Sequence, residues 1–463
     1  MKNNNGNKSE KRPENNNGNK SEKRPENNNG NTLEKRPENR RKQVSELSRE
    51  KILPGNPEKS AKRCSDCAIA GKCGGCEYLG MTYEQQLAKK QEMLEGLLKP
   101  YVKPDPIIGM KQPKHYRNKV NAAFGHDKNG NPISGMYEEN SHRILQTDGC
   151  LLEDEKASKI IVSIRKMLKS FKITTYSEGS GYGLLRHVQV RTGHASGEIM
   201  VVLVCTSPVF PSKNNFVKAL LKEHPEITTI ILNVNDRDTT MVLGERNITL
   251  YGPGFIFDTL CGVRFKISPG SFYQVNPVQT ELLYGKAMEF AALKQGETAF
   301  DAYCGIGTIG LIAAKTAGKV IGVELNKTAE KDAVGNAKGN KIENVEFYSA
   351  DAGEFLEKFA SEGGRVDCLF LDPPRSGSTE TFIRACGIIA PKRIVYVSCG
   401  PDTLARDLEI FKKQGYRVAK AVGVDMFPWT RHVESVVLLN KKKATDFVEI
   451  GVDAEDYYSI KEK

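Results

Sequence analysis

No run of about eighteen apolar residues occurs anywhere in the 463 residues, so no membrane-crossing helix is expected. The N-terminus lacks the apolar core of a secretory signal, and the expected setting is the cytoplasm. Apolar residues are scarce overall, at 39%, and the deficit lies mostly at the front of the chain. A secreted disulfide framework is missing as well. The eleven cysteines are odd in number, and four of them crowd into the thirteen residues from Cys64 to Cys76. Such crowding reads as a metal site in a reducing compartment.

What the front of the chain does hold is a repeat of period twelve, NNNGNKSEKRPE from Asn3 and from Asn15, then NNNGNTLEKRPE from Asn27. Twelve residues make too short a unit to stack, and no apolar position recurs to build a core. Asn, Gly, Lys, Glu and Pro at this density bury too little apolar surface to offset the entropy of ordering. Residues 1–62 are therefore expected to be a disordered basic arm. Their sixteen Lys and Arg against nine Glu supply +7 of the formal +11, so a polyanion such as RNA is one candidate partner and a solubilising tail the plainer reading.

Beyond the arm, the segment from Met81 places Leu87, Met93, Leu94, Leu97 and Leu98 near helical spacing and stops at Pro100. From about Tyr116 to Leu250 the stretches HVQVRTG, EIMVVLVC, ITTIILNVN and TTMVLG read as strands, giving an α+β region. From about Phe272 strands alternate with helix-length segments: TAFDAY, KVIGVEL, VEFYSAD, CLFLDPP and RIVYVSC. That alternation predicts a doubly wound parallel sheet, with ligands at the carboxyl ends of its strands. The expected division is 1–62, 63–268 and 269–463.

Every chemistry-bearing motif falls at one of those strand ends. Gly305-x-Gly307-x-x-Gly310 follows TAFDAY and opens a helix, whose free N–H groups and close backbone approach suit a nucleotide. Glu324 ends the next strand, where a carboxylate accepts both ribose hydroxyls. The same spacing is a dinucleotide fingerprint, so a nicotinamide cofactor competes with S-adenosylmethionine. Asp301 on the incoming strand and the chemistry further along favour the latter. Asp372-Pro373-Pro374-Arg375 stiffens the loop after the fourth strand; related loops that stack on a base carry an aromatic residue where Arg375 stands. Cys399 ends the fifth strand on a Gly-Pro turn that opens a helix, a setting that lowers a thiol pKa and makes a nucleophile. Glu434, just before VVLL, is the candidate base, with His432 second.

Cys64-x2-Cys67-x5-Cys73-x2-Cys76 suits zinc and an iron–sulfur cluster equally well on its donor chemistry. The C-x3-C-x2-C spacing of radical methylation is absent.

Taken in order, these motifs resemble the bacterial RNA uridine-5 methyltransferases, specifically the branch that modifies 23S ribosomal RNA and carries an iron–sulfur cluster. The likeness rests on Cys67 to Cys76, Cys150 in QTDGCLL, Tyr116-Arg117-Asn118-Lys119, Phe272 to Asn276, the glycine loop, Asp372 to Arg375, Ser398-Cys399 and His432-Val433-Glu434. It spans about residues 64–440. The resemblance implies a Rossmann-like methyltransferase domain behind a central RNA-binding and iron–sulfur domain. It implies a [4Fe–4S] cluster on Cys67, Cys73, Cys76 and Cys150, with Cys64 a non-ligand. Cofactor contacts from Gln274, Tyr303, Glu324 and Asp372 are implied, with Thr308 and Asp351 nearby, and Cys399 as nucleophile with Glu434 as base. RNA is the implied partner, ribosomal rather than transfer RNA because the best-known bacterial transfer-RNA members lack the cluster cysteines; neither DNA nor a membrane is expected. Many members begin with a small β-barrel that binds RNA, and here the asparagine-rich arm stands in its place.

Overall fold

The computed structural model describes residues 67–442. The expected arm, residues 1–62, and Cys64 lie outside the described residues.

A helix forms over Tyr83–Leu98 (α1), started by a reciprocal capping box between Thr82 and Gln85. Its buried positions are Gln86, Lys90, Leu94 and Leu98: of the apolar set the spacing suggested, Leu94 and Leu98 are buried, and Gln86 and Lys90 are buried in place of the rest. The reason is a partner invisible in the local sequence. The Lys90 ammonium meets the Asp425 carboxylate at 2.6 Å with both side chains fully buried, and Tyr83 donates to the other Asp425 oxygen at 2.8 Å. Strand β1 (Asp105–Ile108) follows.

A seven-stranded sheet comes next, built from β2 (Lys119–His126), β3 (Pro132–Tyr137), β4 (Ile144–Gln146), β5 (Leu185–Thr192), β6 (Ile199–Cys205), β7 (Ile227–Val234) and β8 (Arg246–Tyr251). Its order is β4-β3-β2-β5-β6-β7-β8, antiparallel except where β6 and β7 run parallel. Helices α2 (Glu155–Met167) and α3 (Lys213–Glu223) cover one face, packing Ile160, Ile164 and Phe216 onto Val188, Val190 and Leu203. The expected strand at TTMVLG does not form. Asn235 instead donates its amide to the carbonyls of Met241 and Val242, which fixes a loop ahead of β8. A hairpin, β9 (Ile256–Leu260) and β10 (Val263–Ile267), leads to α4 (Pro277–Ala291).

The last part alternates β11 (Thr298–Ala302), α5 (Thr308–Ala313), β12 (Lys319–Glu324), α6 (Lys327–Gly339), β13 (Val345–Ser349), α7 (Ala352–Ser361), β14 (Cys368–Leu371), α8 (Glu380–Ile389), β15 (Arg393–Ser398) and α9 (Pro401–Lys413). Then β16 (Tyr416–Val424) and β17 (Glu434–Lys441) close an eight-stranded sheet. All five expected strands are present, and the doubly wound α/β fold is as anticipated. The sheet is not wholly parallel, however: its order is β1-β16-β17-β15-β14-β11-β12-β13, and β17 runs antiparallel between β15 and β16. An antiparallel insertion needs no crossover helix, so helix-strand alternation gave no sign of it. The edge strand β1 comes from ahead of the central sheet in sequence and pairs parallel with β16. One apolar cluster runs from Met200, Val202 and Val204 of the central sheet through Phe265 and Tyr273 to Val395 and Val436. Among the described residues no helix is long and apolar enough to cross a membrane.

Candidate active site

Strand register lines up the chemistry. In the parallel core Ala302 pairs with Val323 and with Leu371, so Tyr303, Glu324 and Asp372 emerge at the carboxyl edge of three neighbouring strands. Ser398 of β15 pairs with Ser435 of antiparallel β17, so Cys399 leaves β15 beside the residue that begins β17, Glu434. A parallel strand would have brought its other end to this edge. The insertion the alternation did not reveal is thus what sets the carboxyl beside the thiol.

The electrostatics of that corner differ from the expectation for the thiol. A helix start does follow Cys399, with Gly400 as cap and Pro401 at its first position. Yet burial, reinforced by the Glu434 and Asp372 carboxyls, pushes the Cys399 thiol up to about 11. Two nearby carboxyls and lost hydration outweigh a helix end and Arg375. The same setting acts on the acids. Burial, then Asp372, pushes Glu434 up to about 8, with Arg375 opposing, and burial pushes Asp372 up to about 7. A carboxyl poised near neutrality is suited to proton transfer. His432 is half-buried, and burial followed by Arg375 lowers its pKa, so it too can accept a proton. Arg375 is exposed, yet its charge reaches Cys399, Glu434 and His432 alike. The sequence reading gave it no part.

Around the glycine loop, Glu324 accepts from Gly305 N at 2.9 Å and from Asn326 N at 2.8 Å, which fixes its carboxylate against the loop. Tyr303 adopts a left-handed backbone, φ +60°, and its ring packs 5.6 Å from that of Phe382. Gly305 also has positive φ, and a Cβ there would meet nothing within 4 Å, so the loop faces open space. Gly310 is different: a Cβ would stand 2.9 Å from an Asp301 carboxylate oxygen. Asp301 accepts from Gly310 N at 2.7 Å and is 1% exposed. It therefore pins α5 to β11. Asp351 caps α7, accepting from Gly353 N and Glu354 N. Thr308 begins α5, and its side chain and that of buried Gln274 both hydrogen-bond the Tyr284 hydroxyl. Asn118 holds the Gln274 backbone by donating to its carbonyl at 3.2 Å.

The cysteines gather elsewhere. Cys67, Cys73, Cys76 and Cys150, all free thiols, line one cavity of about 270 Å³. Burial, then the neighbouring Cys150, Cys73 and Cys67, pushes Cys76 up to about 12. Among the described residues no three His, Cys, Asp or Glu side chains stand close enough to hold a metal ion. This wall is tied to the catalytic corner through the loop before β17. Tyr78 N donates to Trp429 O at 3.1 Å, the Trp429 indole N–H to Pro113 O, and Gln86 accepts from Trp429 N at 2.9 Å. Trp429 was missed in the sequence; its left-handed backbone, φ +71°, leaves no mark on a sequence pattern.

Comparison with known proteins gives three concordant findings. A family model described as tRNA (uracil-5-)-methyltransferase matches residues 82–442. The chain is 43% identical over 376 residues to an uncharacterized RNA methyltransferase of Oceanobacillus iheyensis, covering 80% of this chain and 82% of that one. It is 42% identical over 392 residues to one from Caldanaerobacter subterraneus, covering 83% and 86%. Among solved structures, the Pyrococcus abyssi tRNA (uracil-54, C5)-methyltransferase in complex with S-adenosyl-L-homocysteine matches with a TM-score of 0.67 and 28% identity, covering 80% of this chain and 86% of that chain.

Proposed function

Because the chain belongs to the tRNA (uracil-5-)-methyltransferase family, we propose that it methylates carbon 5 of a uridine in RNA, with Cys399 as nucleophile and Glu434 as base. The observation that carries this reading is the register that puts Glu434 at the head of β17, beside the thiol that leaves β15. S-adenosylmethionine supplies an electrophilic methyl group when bound. The carboxyl edge supports it: Glu324 is held against the glycine loop, a Cβ at Gly305 would meet nothing within 4 Å, and Tyr303 and Asp372 leave the neighbouring strands at the same edge.

Carbon 5 of uracil is a weak nucleophile. Addition of the Cys399 thiolate to carbon 6 places electron density on carbon 5, which takes the methyl group. Glu434 then removes the carbon-5 proton, and elimination of Cys399 restores the ring. The thiol needs a route to its anion from about 11. That proton leaves to water, so that Glu434, ionised above about 8, stays free to take the carbon-5 proton. Arg375 favours both anions.

The four-cysteine cavity supports an iron–sulfur cluster on Cys67, Cys73, Cys76 and Cys150. Its lining brings the four thiols together with Glu77, Glu139 and Met136, and thiolate is the donor that iron–sulfur clusters take. Anaerobically purified protein should be brown and hold roughly four irons per chain, if the cluster is of the [4Fe–4S] type. Cys150→Ser should lose the colour and Cys64→Ser should keep it. A colourless protein with one zinc overturns the assignment.

Ribosomal RNA is the proposed substrate, since the cluster cysteines accompany that branch in the family resemblance. Transfer RNA is the second reading, favoured by the Pyrococcus abyssi enzyme's own substrate. Mapping 5-methyluridine in 23S and transfer RNA from cells with and without the gene decides between them. Loss from transfer RNA alone refutes the ribosomal reading.

A further inference from the structure

A second cavity, of about 340 Å³, opens on the central sheet between β3, β5 and the segment at Tyr176–Glu178. Its volume is that of a small-ligand pocket. Its walls are planar and polar: Tyr137, His142, Tyr176, Arg186 and His187, with Glu178 at one side. The Arg186 guanidinium lies 4.7 Å from the Tyr176 ring centre, and the Tyr137 ring packs edge-on 6.3 Å from His187. The Tyr137 hydroxyl donates to Glu178 at 3.2 Å.

Two polar groups in this wall lack partners. Arg186 is 6% exposed, and although its Nη1 donates to the carbonyls of Asn235 and Arg237, its Nε has no acceptor. His187 Nδ1 is likewise buried with no partner. Burial, then Arg186, lowers His187 to about 4, so the imidazole is neutral; its Nε2 lies 3.4 Å from the Tyr137 hydroxyl, which leaves Nδ1 for a ligand. Of the eight buried side-chain polar atoms without partners among the described residues, five belong to Asn121, Arg186, His187, Arg191 and Asn235, all in the central-sheet region. Buried polar groups are rarely left so, and a cluster of them marks a place that a ligand completes.

These residues also form a row. On β5, His187, Gln189 and Arg191 alternate onto one face, and β2 sets Asn121 opposite Gln189 and Lys119 opposite Arg191. Two cations directly opposite each other destabilise a sheet, and no carboxylate forms an ion pair with either among the described residues. At the far end, Gln189 and Arg191 donate to the carbonyls of Pro269 and Ser271, just before Phe272–Asn276 of the active site. The row therefore runs from the active-site segment out to the cavity, roughly 13 Å from Arg191 to His187 at strand spacing.

We propose that the cavity walled by Tyr137, Tyr176, Arg186 and His187 takes a second, unmethylated base of the RNA. Stacking on aromatic and guanidinium planes, with hydrogen bonds to a base edge, is how proteins hold single-stranded bases. The inference rests on RNA being the substrate, and not on where the methyl group goes.

Binding of unmodified 23S and transfer RNA transcripts to the full-length protein, without cofactor, tests it. Tyr176→Ala and His187→Leu should each weaken binding about tenfold, the scale of one lost stacked base. At saturating RNA the methylation rate should stay within about twofold of the parent. Transcripts carrying 4-thiouridine should crosslink, on irradiation, to a peptide within residues 176–187 through a nucleotide other than the methylated one. Tyr137→Phe keeps the ring, should keep the crosslink, and guards against misfolding of the larger changes, which thermal melting also reports. Parental affinity in both substituted proteins, or crosslinks confined to other peptides, overturns the proposal. RNA that binds normally yet is never methylated by the parent would instead refute the methylation reading and leave the cavity standing.

Discussion

The carboxyl edge of the eight-stranded sheet and the inner face of the seven-stranded sheet place polar residues by different logic. At the edge, each group stands at a strand end: Tyr303, Asp372 and Cys399 follow β11, β14 and β15, Glu324 is the last residue of β12, and Glu434 begins β17. Register alone gathers them, and backbone N–H groups occupy Glu324. On the inner face Asn121, His187 and Arg191 lie within strands, among apolar neighbours, with atoms that find no partner. One site is assembled by strand register; the other leaves polar atoms inside the protein without partners.

The largest expected effect breaks the edge outright. Cys399→Ala should abolish methylation, and with it any covalent adduct to RNA containing 5-fluorouridine, because nothing then adds to carbon 6. Glu434→Gln should differ in kind: if addition and methyl transfer still occur, the proton cannot leave and a conjugate through Cys399 accumulates, visible as a retarded band on a denaturing gel. Normal turnover in Glu434→Gln would move the base elsewhere, with His432 next. Methylation surviving in Cys399→Ala would sink the nucleophilic mechanism.

A second contrast concerns buried charge that does have its partner. Lys90 and Asp425 form a fully buried pair at 2.6 Å that binds α1 to the loop leading toward Glu434. Lys90→Met strands the carboxylate and should cost about 3–5 kcal/mol in denaturant unfolding. Lys90→Met combined with Asp425→Asn should cost clearly less, since the stranded charge is gone. Equal losses in the single and the double variant would mean that packing, not the charge, is what the pair contributes.

These two sites were unequally legible. Strand ends show in a sequence as apolar runs that stop at Gly, Pro or an acid, so the edge residues could be named before any coordinates. The phase of α1 could not be read that way, because Lys90 looks solvent-facing until Asp425, more than three hundred residues on, is brought to it. The row on β2 and β5 was hidden for a related reason. HVQVRTG alternates as a half-buried strand should, and the alternation says which residues share a face but not that the polar face is covered by another sheet. Asp301 was read only as favouring S-adenosylmethionine over a nicotinamide cofactor; its local task, holding Gly310 N, could not be seen without coordinates.

The loop glycines sharpen the comparison at smaller scale. Gly310→Ala must push aside the Asp301 carboxyl at 2.9 Å and should lower stability by about 1–3 kcal/mol. Gly305→Ala meets no atom within 4 Å but takes a left-handed backbone, costing about 1–2 kcal/mol, and its methyl projects toward the proposed cofactor. Thermal melting should show both losses, whereas cofactor affinity should fall more in Gly305→Ala. The reverse ranking of affinities would put the cofactor somewhere other than over Gly305.

The smallest effect concerns Arg375, whose charge lowers the pKa of both Cys399 and Glu434. Removing it raises both groups, so at any fixed pH less thiolate and less carboxylate are present. A base acts ionised, and the rate should therefore rise with pH through a limb near 8 in the parent. In Arg375→Gln that limb should move to higher pH. The shift should be under about one unit, and the rate loss on the limb under about tenfold, because an exposed guanidinium is screened by water and salt. Asp372 raises Glu434, so Asp372→Asn should move the limb the other way, to lower pH. Single-turnover methyl transfer at saturating cofactor and RNA, followed from pH 6 to about 10, reads both shifts. Arg375 and Asp372 act on Cys399 in the same two directions, so opposite displacements identify the limb with one of this pair, and a midpoint near 8 rather than 11 picks out the carboxyl at the head of β17. A limb that stays fixed in both variants belongs to some other group, and the acid–base part of the mechanism would then have to leave Glu434.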